Sequence, residues 1–128
     1  MPKLLKILFI SSLITLFLFM AAGPSHSANK VRWKRAIASA FSEPQPLACN
    51  NMHMNNRLMG VASRRFPCNT KLTLKYRGIQ VHVKVLDWGP AAWTGRSLDL
   101  MPAVFHKFGF RTQDGWGERV VLWQKGWK

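Results

Sequence analysis

The chain has 128 residues, of which 19 are Lys or Arg and five are Asp or Glu, giving a formal net charge of +14. This length suits one domain, and 48% hydrophobic residues with eight Phe and six Trp exclude a chain that is disordered by composition. Two cysteines are too few for a disulfide scaffold. Five acids are too few for a mechanism that needs many carboxylates, such as a calcium cage.

The N-terminal segment has the pattern of a secretory signal peptide, which we predict over residues 1–28. Lys3 and Lys6 form a short positive region, residues 7–22 are apolar or uncharged, and small residues over 23–28 offer cleavage sites. The uncharged segment is 16 residues long, which is short for a membrane-spanning helix. An uncleaved anchor is the alternative. We therefore expect a periplasmic or secreted protein without stable membrane insertion after processing.

The remaining chain, residues 29–128, reads as one domain of short strands and loops, with its core over about 36–124. Strands are predicted over residues 35–41, 71–76, 80–85 and 118–123. The middle pair forms a hairpin around Arg77 and Gly78. A single helix is predicted over 102–108, with proline in its first turn and glycine after its end. These elements indicate a mainly β domain, closed as a barrel.

Cys49 and Cys68 are the only cysteines. Export would bring them into an oxidising compartment, so we predict that they form a disulfide. The bond would close a loop of 20 residues, which contributes about 3 kcal/mol in the chain-entropy model. A zinc site would need further ligands, and a cysteine nucleophile would need a nearby base.

Two aspartates are the candidates for chemistry. Asp87 ends the second hairpin strand, and Asp99 lies just before the predicted helix. The helix N-terminus favours the charged form of Asp99, whereas burial among Trp88, Trp93 and Leu98 would raise its pKa. A carboxylic acid that keeps its proton at neutral pH is what glycosidic bond cleavage requires. The alternative is that both aspartates only cap turns and loops.

Aromatic side chains adjoin these aspartates. The rings of Trp88 and Trp93 suit the apolar faces of sugars, or alternatively pack against the barrel. His53 lies in a loop rich in Met and Asn, from which it could reach a cleft. The histidines share no metal-ligand spacing, so we predict no metal and no cofactor.

The C-terminal segment combines aromatic and basic residues. Trp123 and Trp127 alternate there with Lys125 and Lys128. We expect these four side chains to form a basic aromatic tail that could touch a membrane surface or a polyanion.

Five segments carry a resemblance to a known family. They are residues 38–41, 60–62, 66–72, 85–90 and 95–100. The fourth contains Asp-Trp-Gly-Pro and the fifth reads Gly-Arg-Ser-Leu-Asp-Leu, in the same order as in the family. Over residues 36–110 the chain thus resembles the double-psi β-barrel domain of the rare lipoprotein A family, which are bacterial lytic transglycosylases of the septum and cell wall. Ala48-Cys49 and Pro67-Cys68 are also similar to segments of the disulfide-bearing barrels of expansins and barwin-like proteins.

The resemblance implies a small six-stranded double-psi β-barrel with one or two short helices. It implies that Asp99 is the catalytic acid in the cleft. It also implies that Asp87, in the Asp-Trp-Gly-Pro turn, is a catalytic or supporting residue. The expected substrate-binding residues are Trp88, Trp93, Arg96 and His53. The early catalytic glutamate of the family has no clear match here, and Glu43 is the only acid in that part of the chain.

Two functions compete at this point. The first is lytic transglycosylase-like cleavage of peptidoglycan, in which Asp99 protonates the glycosidic oxygen and then acts as a base. The second is an expansin-like module that binds or loosens cell-wall glycan without cutting it. Residues 29–128 carry 17 basic and five acidic side chains, a charge of +12 that favours an anionic cell-wall glycan as partner. The export signal argues against nucleic acid, and we expect a monomer.

Overall fold

The computed structural model describes Gly23 and residues 30–128. Residues 31–128 form one compact unit, and the predicted signal peptide lies outside the described residues except for Gly23. The strands are β1 (Lys34–Ala40), β2 (Gly60–Ala62), β3 (Lys71–Tyr76), β4 (Ile79–Asp87), β5 (Leu98–Leu100) and β6 (Arg119–Lys125). The helices are α1 (Pro102–Lys107) and α2 (Gln113–Trp116), with one 3₁₀ turn over Ala92–Thr94. Within the part of the chain that the structure describes, no helix has the length and apolar character needed to cross a membrane.

The six strands close into a barrel in the order β1-β5-β2-β4-β3-β6. Two neighbouring pairs, β1 with β5 and β2 with β4, are parallel, and the other four pairs are antiparallel. Among these neighbours only β3 and β4 are consecutive in the chain, and they form the predicted hairpin. Parallel neighbours cannot be joined by tight turns. Long connections therefore cross the barrel ends and bring distant segments together.

The fold class predicted from the sequence is confirmed as a mainly β, closed six-stranded barrel with two short helices. The prediction of a single helix was wrong, because α2 forms after Thr112. The Thr112 Oγ1 accepts a hydrogen bond from the Gly115 N–H at 2.9 Å, which is the usual way a threonine caps a helix N-terminus. Strands β2 and β5 were not predicted individually, since they have only three residues each.

The barrel interior is filled by the inward side chains of the long strands. Leu72, Leu74, Val83 and Val85 are at most 1% exposed, as the alternating pattern of the hairpin predicts. The prediction of a C-terminal basic aromatic tail was wrong for Trp123, which is 4% exposed. Its position on β6 points inward, so its ring belongs to the core.

Trp127, the other aromatic residue of this segment, is also held by the barrel. Its Nε1–H donates a hydrogen bond to the Val83 carbonyl oxygen at 3.0 Å. Its ring stacks on that of His82 with centroids 5.4 Å apart. The C-terminal segment is therefore anchored against β4 as far as Trp127.

A second, smaller hydrophobic cluster lies on the outside of the barrel. Its buried members are Phe41, Leu47, Met54, Ala62, Leu86 and Met101. Leu47 and Met54 come from the long connection between β1 and β2, and the other members come from the barrel and the residues next to its strands. Burial of these side chains fixes the connection against the sheet beside β2 and β5.

Candidate functional site

The pairing of three strands brings Asp87 and Asp99 to the same region of the barrel. Ala62 of β2 pairs with Asp99 of β5 on one side and with Asp87 of β4 on the other. Since neighbouring strands lie about 4.8 Å apart, the two aspartate Cα atoms are separated by about 10 Å. Leu98 and Leu100 point into the core, so Asp99, between them, projects from the outer face of β5.

Both aspartates line an open groove, which we call the acidic groove, with a volume of about 290 Å³. Its lining residues are Phe41, Glu43, Gln45, Ala62, Asp87, Trp88, Gly89, Pro90, Ala91 and Asp99. Three of the five acidic residues of this strongly basic chain therefore meet here. The volume is close to the lower limit of small-molecule sites, about 300 Å³, which suits one sugar unit.

Asp99 sits in an environment that favours its protonated form. Burial raises the pKa of Asp99 above the ordinary value of 3.8, and the charges of Glu43 and Asp87 act in the same direction. A hydrogen bond from Ser39 and the charge of Arg96 oppose this rise without cancelling it. The Ser39 Oγ–H donates to Asp99 Oδ1 at 2.9 Å. Asp99 thus keeps its proton to a higher pH than an exposed aspartate.

The Asp99 side chain does not cap helix α1, which follows it in the chain. The N-cap of α1 is Met101, and no side chain hydrogen-bonds to the cap. The side-chain partner of Asp99 is instead Ser39, its neighbour on the parallel strand β1. Asp99 is therefore held from the sheet rather than from the helix.

Asp87 has a different environment, because both of its carboxylate oxygens accept hydrogen bonds. The Ala48 N–H donates to Oδ1 at 2.9 Å, and Gln45 Nε2 donates to Oδ2 at 3.3 Å. Both donors belong to the connection between β1 and β2. Asp87 therefore fixes this connection to the end of β4 and helps to shape the groove.

Glu43 is an acidic residue of the groove that was not predicted as part of the site. Its side chain is exposed and lines the groove, and its charge contributes to the raised pKa of Asp99. The fold brings it close to the end of β5 from a distant part of the sequence. The only sequence signal was that Glu43 is the single acid in its region.

The predicted substrate-binding residues are distributed unevenly around the groove. Trp88 lines it and is 65% exposed, whereas Trp93 is 88% exposed on the 3₁₀ turn and is not among the lining residues. The alternative that these rings pack against the barrel is therefore wrong. Arg96 is half-buried, and its charge acts on Asp99 from outside the groove lining. His53 is exposed, pairs with Pro46 in an isolated β-bridge, and does not line the groove.

Another groove, of about 480 Å³, lies near the C-terminal segment but has a different chemical character. Its lining includes Met52, Leu58 and Met59 together with His82 and Trp127, and no carboxylate. It therefore offers no acid for bond cleavage. Among the described residues, no three His, Cys, Asp or Glu side chains are grouped so as to hold a metal ion.

The predicted disulfide between Cys49 and Cys68 is confirmed, with the two Cα atoms 5.6 Å apart. Asn50 and Asn69 each follow one of the two cysteines. Two hydrogen bonds between their side-chain amides, of 2.7 and 3.0 Å, reinforce the link. The disulfide links two segments: the β1–β2 connection, which contains Glu43, and the segment before β3. It is compatible with a secreted protein.

The sequence matches no family model and has no significant match among curated proteins. A solved structure with a similar fold is that of the Streptomyces papain inhibitor, with a TM-score of 0.55 and 18% sequence identity. The alignment covers 73% of this chain and 94% of that chain. At this identity the similarity establishes a shared small-barrel fold and nothing about activity.

Proposed function

We propose that this protein cleaves peptidoglycan glycan strands in the manner of a lytic transglycosylase, with Asp99 as the acid and base. The observation that carries this proposal is a carboxyl group with a raised pKa that faces an open groove. The resemblance of the segments around Asp87 and Asp99 to the rare lipoprotein A family supports it. The same resemblance supports a double-psi identity for the barrel, and its parallel β1–β5 and β2–β4 pairs are compatible with that identity.

In the proposed reaction, protonated Asp99 donates its proton to the glycosidic oxygen, and the bond from that oxygen to the anomeric carbon breaks. The anomeric carbon belongs to a muramic acid residue of the glycan. The Asp99 carboxylate then accepts the proton of the 6-hydroxyl of that residue. The hydroxyl oxygen attacks the anomeric carbon and forms a 1,6-anhydro ring without water. The proton has returned to Asp99, so one residue serves both half-reactions.

The neighbouring carboxylates would contribute electrostatically. Negative charge on Glu43 and Asp87 raises the pKa of Asp99, and it would also stabilise positive charge that develops on the sugar ring. Because both oxygens of Asp87 already accept hydrogen bonds from the loop, we assign it a supporting role.

Ser39 is the residue through which the pKa of Asp99 can be tested. Removal of its hydroxyl in Ser39→Ala takes away a hydrogen bond that lowers this pKa. We expect the pKa of Asp99 to rise further, so that the upper limb of the pH–activity profile moves to higher pH. A profile that keeps its position while activity falls at every pH would show that Ser39 is only structural.

Trp88 is expected to bind the sugar next to the cleaved bond, because it lines the acidic groove and is exposed. Trp88→Ala should weaken sedimentation with peptidoglycan sacculi by about tenfold, the loss expected for one aromatic platform. Trp93→Ala is the comparison that separates the groove from the wider aromatic surface, since Trp93 is exposed but lies outside the groove lining, and it should lose less. An equal loss in both variants would mean that the groove does not direct binding.

A non-catalytic, expansin-like wall-binding module is the second candidate. It is favoured by the exposure of Trp88 and Trp93, which offers a binding surface without requiring chemistry. Incubation of the purified protein with sacculi and with denuded glycan strands, followed by mass spectrometry, separates the two. Release of anhydro-muropeptides supports cleavage, whereas binding without any released product supports the module.

A further inference from the structure

A second groove of opposite charge lies apart from the acidic groove. This basic groove has a volume of about 440 Å³ and is lined by Arg32, Lys34, Arg65, Phe66, Pro67, Trp123, Gln124 and Lys125. Four of these side chains are cations, and none is a carboxylate. The two grooves share no lining residue.

The cations of the basic groove are positioned by two buried aromatic rings. Phe66 and Trp123, 7% and 4% exposed, meet edge to face with their centroids 5.1 Å apart. Lys34 Nζ lies 5.1 Å and Arg65 Cζ 5.3 Å from the Trp123 ring centroid. Lys125 Nζ lies 5.3 Å from the Phe66 ring centroid. Attraction to the ring faces holds three like charges near one another at defined positions.

The positions of these charges indicate an extended ligand rather than a single small anion. Lys34 comes from β1, Lys125 from β6, and Arg65 from the segment after β2. A groove lined by one sign of charge concentrates the field of its members and attracts the opposite charge. Cations supplied by three separate segments match a ligand with several negative charges along its length.

The same aromatic rings argue against nucleic acid as that ligand. Proteins that bind single strands use exposed aromatic faces on which the bases stack. Phe66 and Trp123 are almost fully buried and have cations over their faces, so they offer no such surface. A polymer that carries phosphates on a backbone without bases needs no stacking surface, and the Arg65 guanidinium suits a phosphate group.

We propose that the basic groove binds a phosphodiester polymer with a polyol backbone. This site does not depend on the proposed cleavage of glycan. Two consecutive residues, Arg64 and Arg65, nevertheless make contact with the two groove linings. The side chain of Arg64 donates a hydrogen bond to the carbonyl oxygen of Pro90, which lines the acidic groove, and Arg65 lines the basic groove.

The test is binding of fluorescently labelled poly(glycerol phosphate) to the purified exported protein, followed by fluorescence anisotropy. The groove variant combines Lys34→Gln, Arg65→Gln and Lys125→Gln. Its affinity for the polymer should fall by at least about tenfold. The control variant combines substitutions to Gln at Arg57, Lys107 and Arg111, which are exposed and lie outside the basic groove. It loses the same charge and should stay within about threefold of the wild type.

Further measurements make the outcome decisive. A variant that keeps the charges, Lys34→Arg with Arg65→Lys and Lys125→Arg, should retain most of the binding, and thermal melts should confirm that all variants fold. The groove variant should also show a weaker dependence of binding on salt. Equal losses in the groove and control variants would overturn the site. Tighter binding of single-stranded DNA than of poly(glycerol phosphate) would overturn the proposed ligand class.

Discussion

Asp99→Asn is expected to lower the release of anhydro-muropeptides from sacculi by about 10²- to 10⁴-fold, the usual contribution of a general acid or base. The amide cannot donate a proton to the glycosidic oxygen, although it has nearly the same shape. It can still accept the hydrogen bond that the Ser39 hydroxyl gives to Asp99. The groove should therefore keep its form, and sedimentation with sacculi should be preserved.

Glu118→Gln is the matched control for this substitution. Glu118 is exposed and does not line the acidic groove, so the same replacement of a carboxyl group by an amide should leave cleavage within about twofold of the wild type. If Asp99→Asn cleaves as fast as Glu118→Gln, another group supplies the proton and the proposed mechanism fails.

The stability of Asp99→Asn supplies an independent check on the protonation of Asp99. Burial raises the pKa of Asp99 in the folded protein above the ordinary value of 3.8. The folded state then binds more protons than the unfolded state between these two pKa values, so stability falls as the pH rises through this range. Asparagine does not titrate, so the stability of the variant does not fall in this way as the pH rises. The variant should melt at a higher temperature than the wild type at pH 7 and at the same temperature near pH 3.

The elements that sequence patterns located are those with a local physical signal. The β3–β4 hairpin has alternating polar and apolar residues over its whole length. α1 has Pro102 at its start and Gly109 just past its end. By contrast, β2 and β5 are only three residues long, which is too short for a periodic pattern to be recognised in the sequence. Their existence depends on pairing with strands that are distant in the sequence.

The residues of the site also divide into those with a local sequence signal and those placed by distant packing. Asp87, Trp88 and Asp99 were predicted together because the resembling segments contain them, and the acidic groove brings them together. Glu43 could not be found in this way, because its approach to Asp99 depends on how the β1–β2 connection packs. His53 lies in that same connection, but its bridge to Pro46 keeps it outside the groove lining.

The disulfide should have the largest effect on stability of any single covalent feature of the barrel. Replacing both Cys49 and Cys68 by Ala removes the constraint on a 20-residue loop of the unfolded chain, which costs about 3 kcal/mol of unfolding free energy. For a domain of about 100 residues this lowers the melting temperature by roughly 10–20 °C. Thermal and urea unfolding of the double variant measure both quantities.

Reduction of the wild type is the matched control for the double variant, because it opens the same bond without changing the sequence. Both should lose stability by similar amounts, and both cysteines should resist alkylation until the reductant is added. Glycan cleavage should also fall, since the disulfide restrains the connection from which Gln45 and Ala48 donate to Asp87. A double variant that melts within about 2 °C of the oxidised wild type would show that the outer hydrophobic cluster alone holds this connection in place.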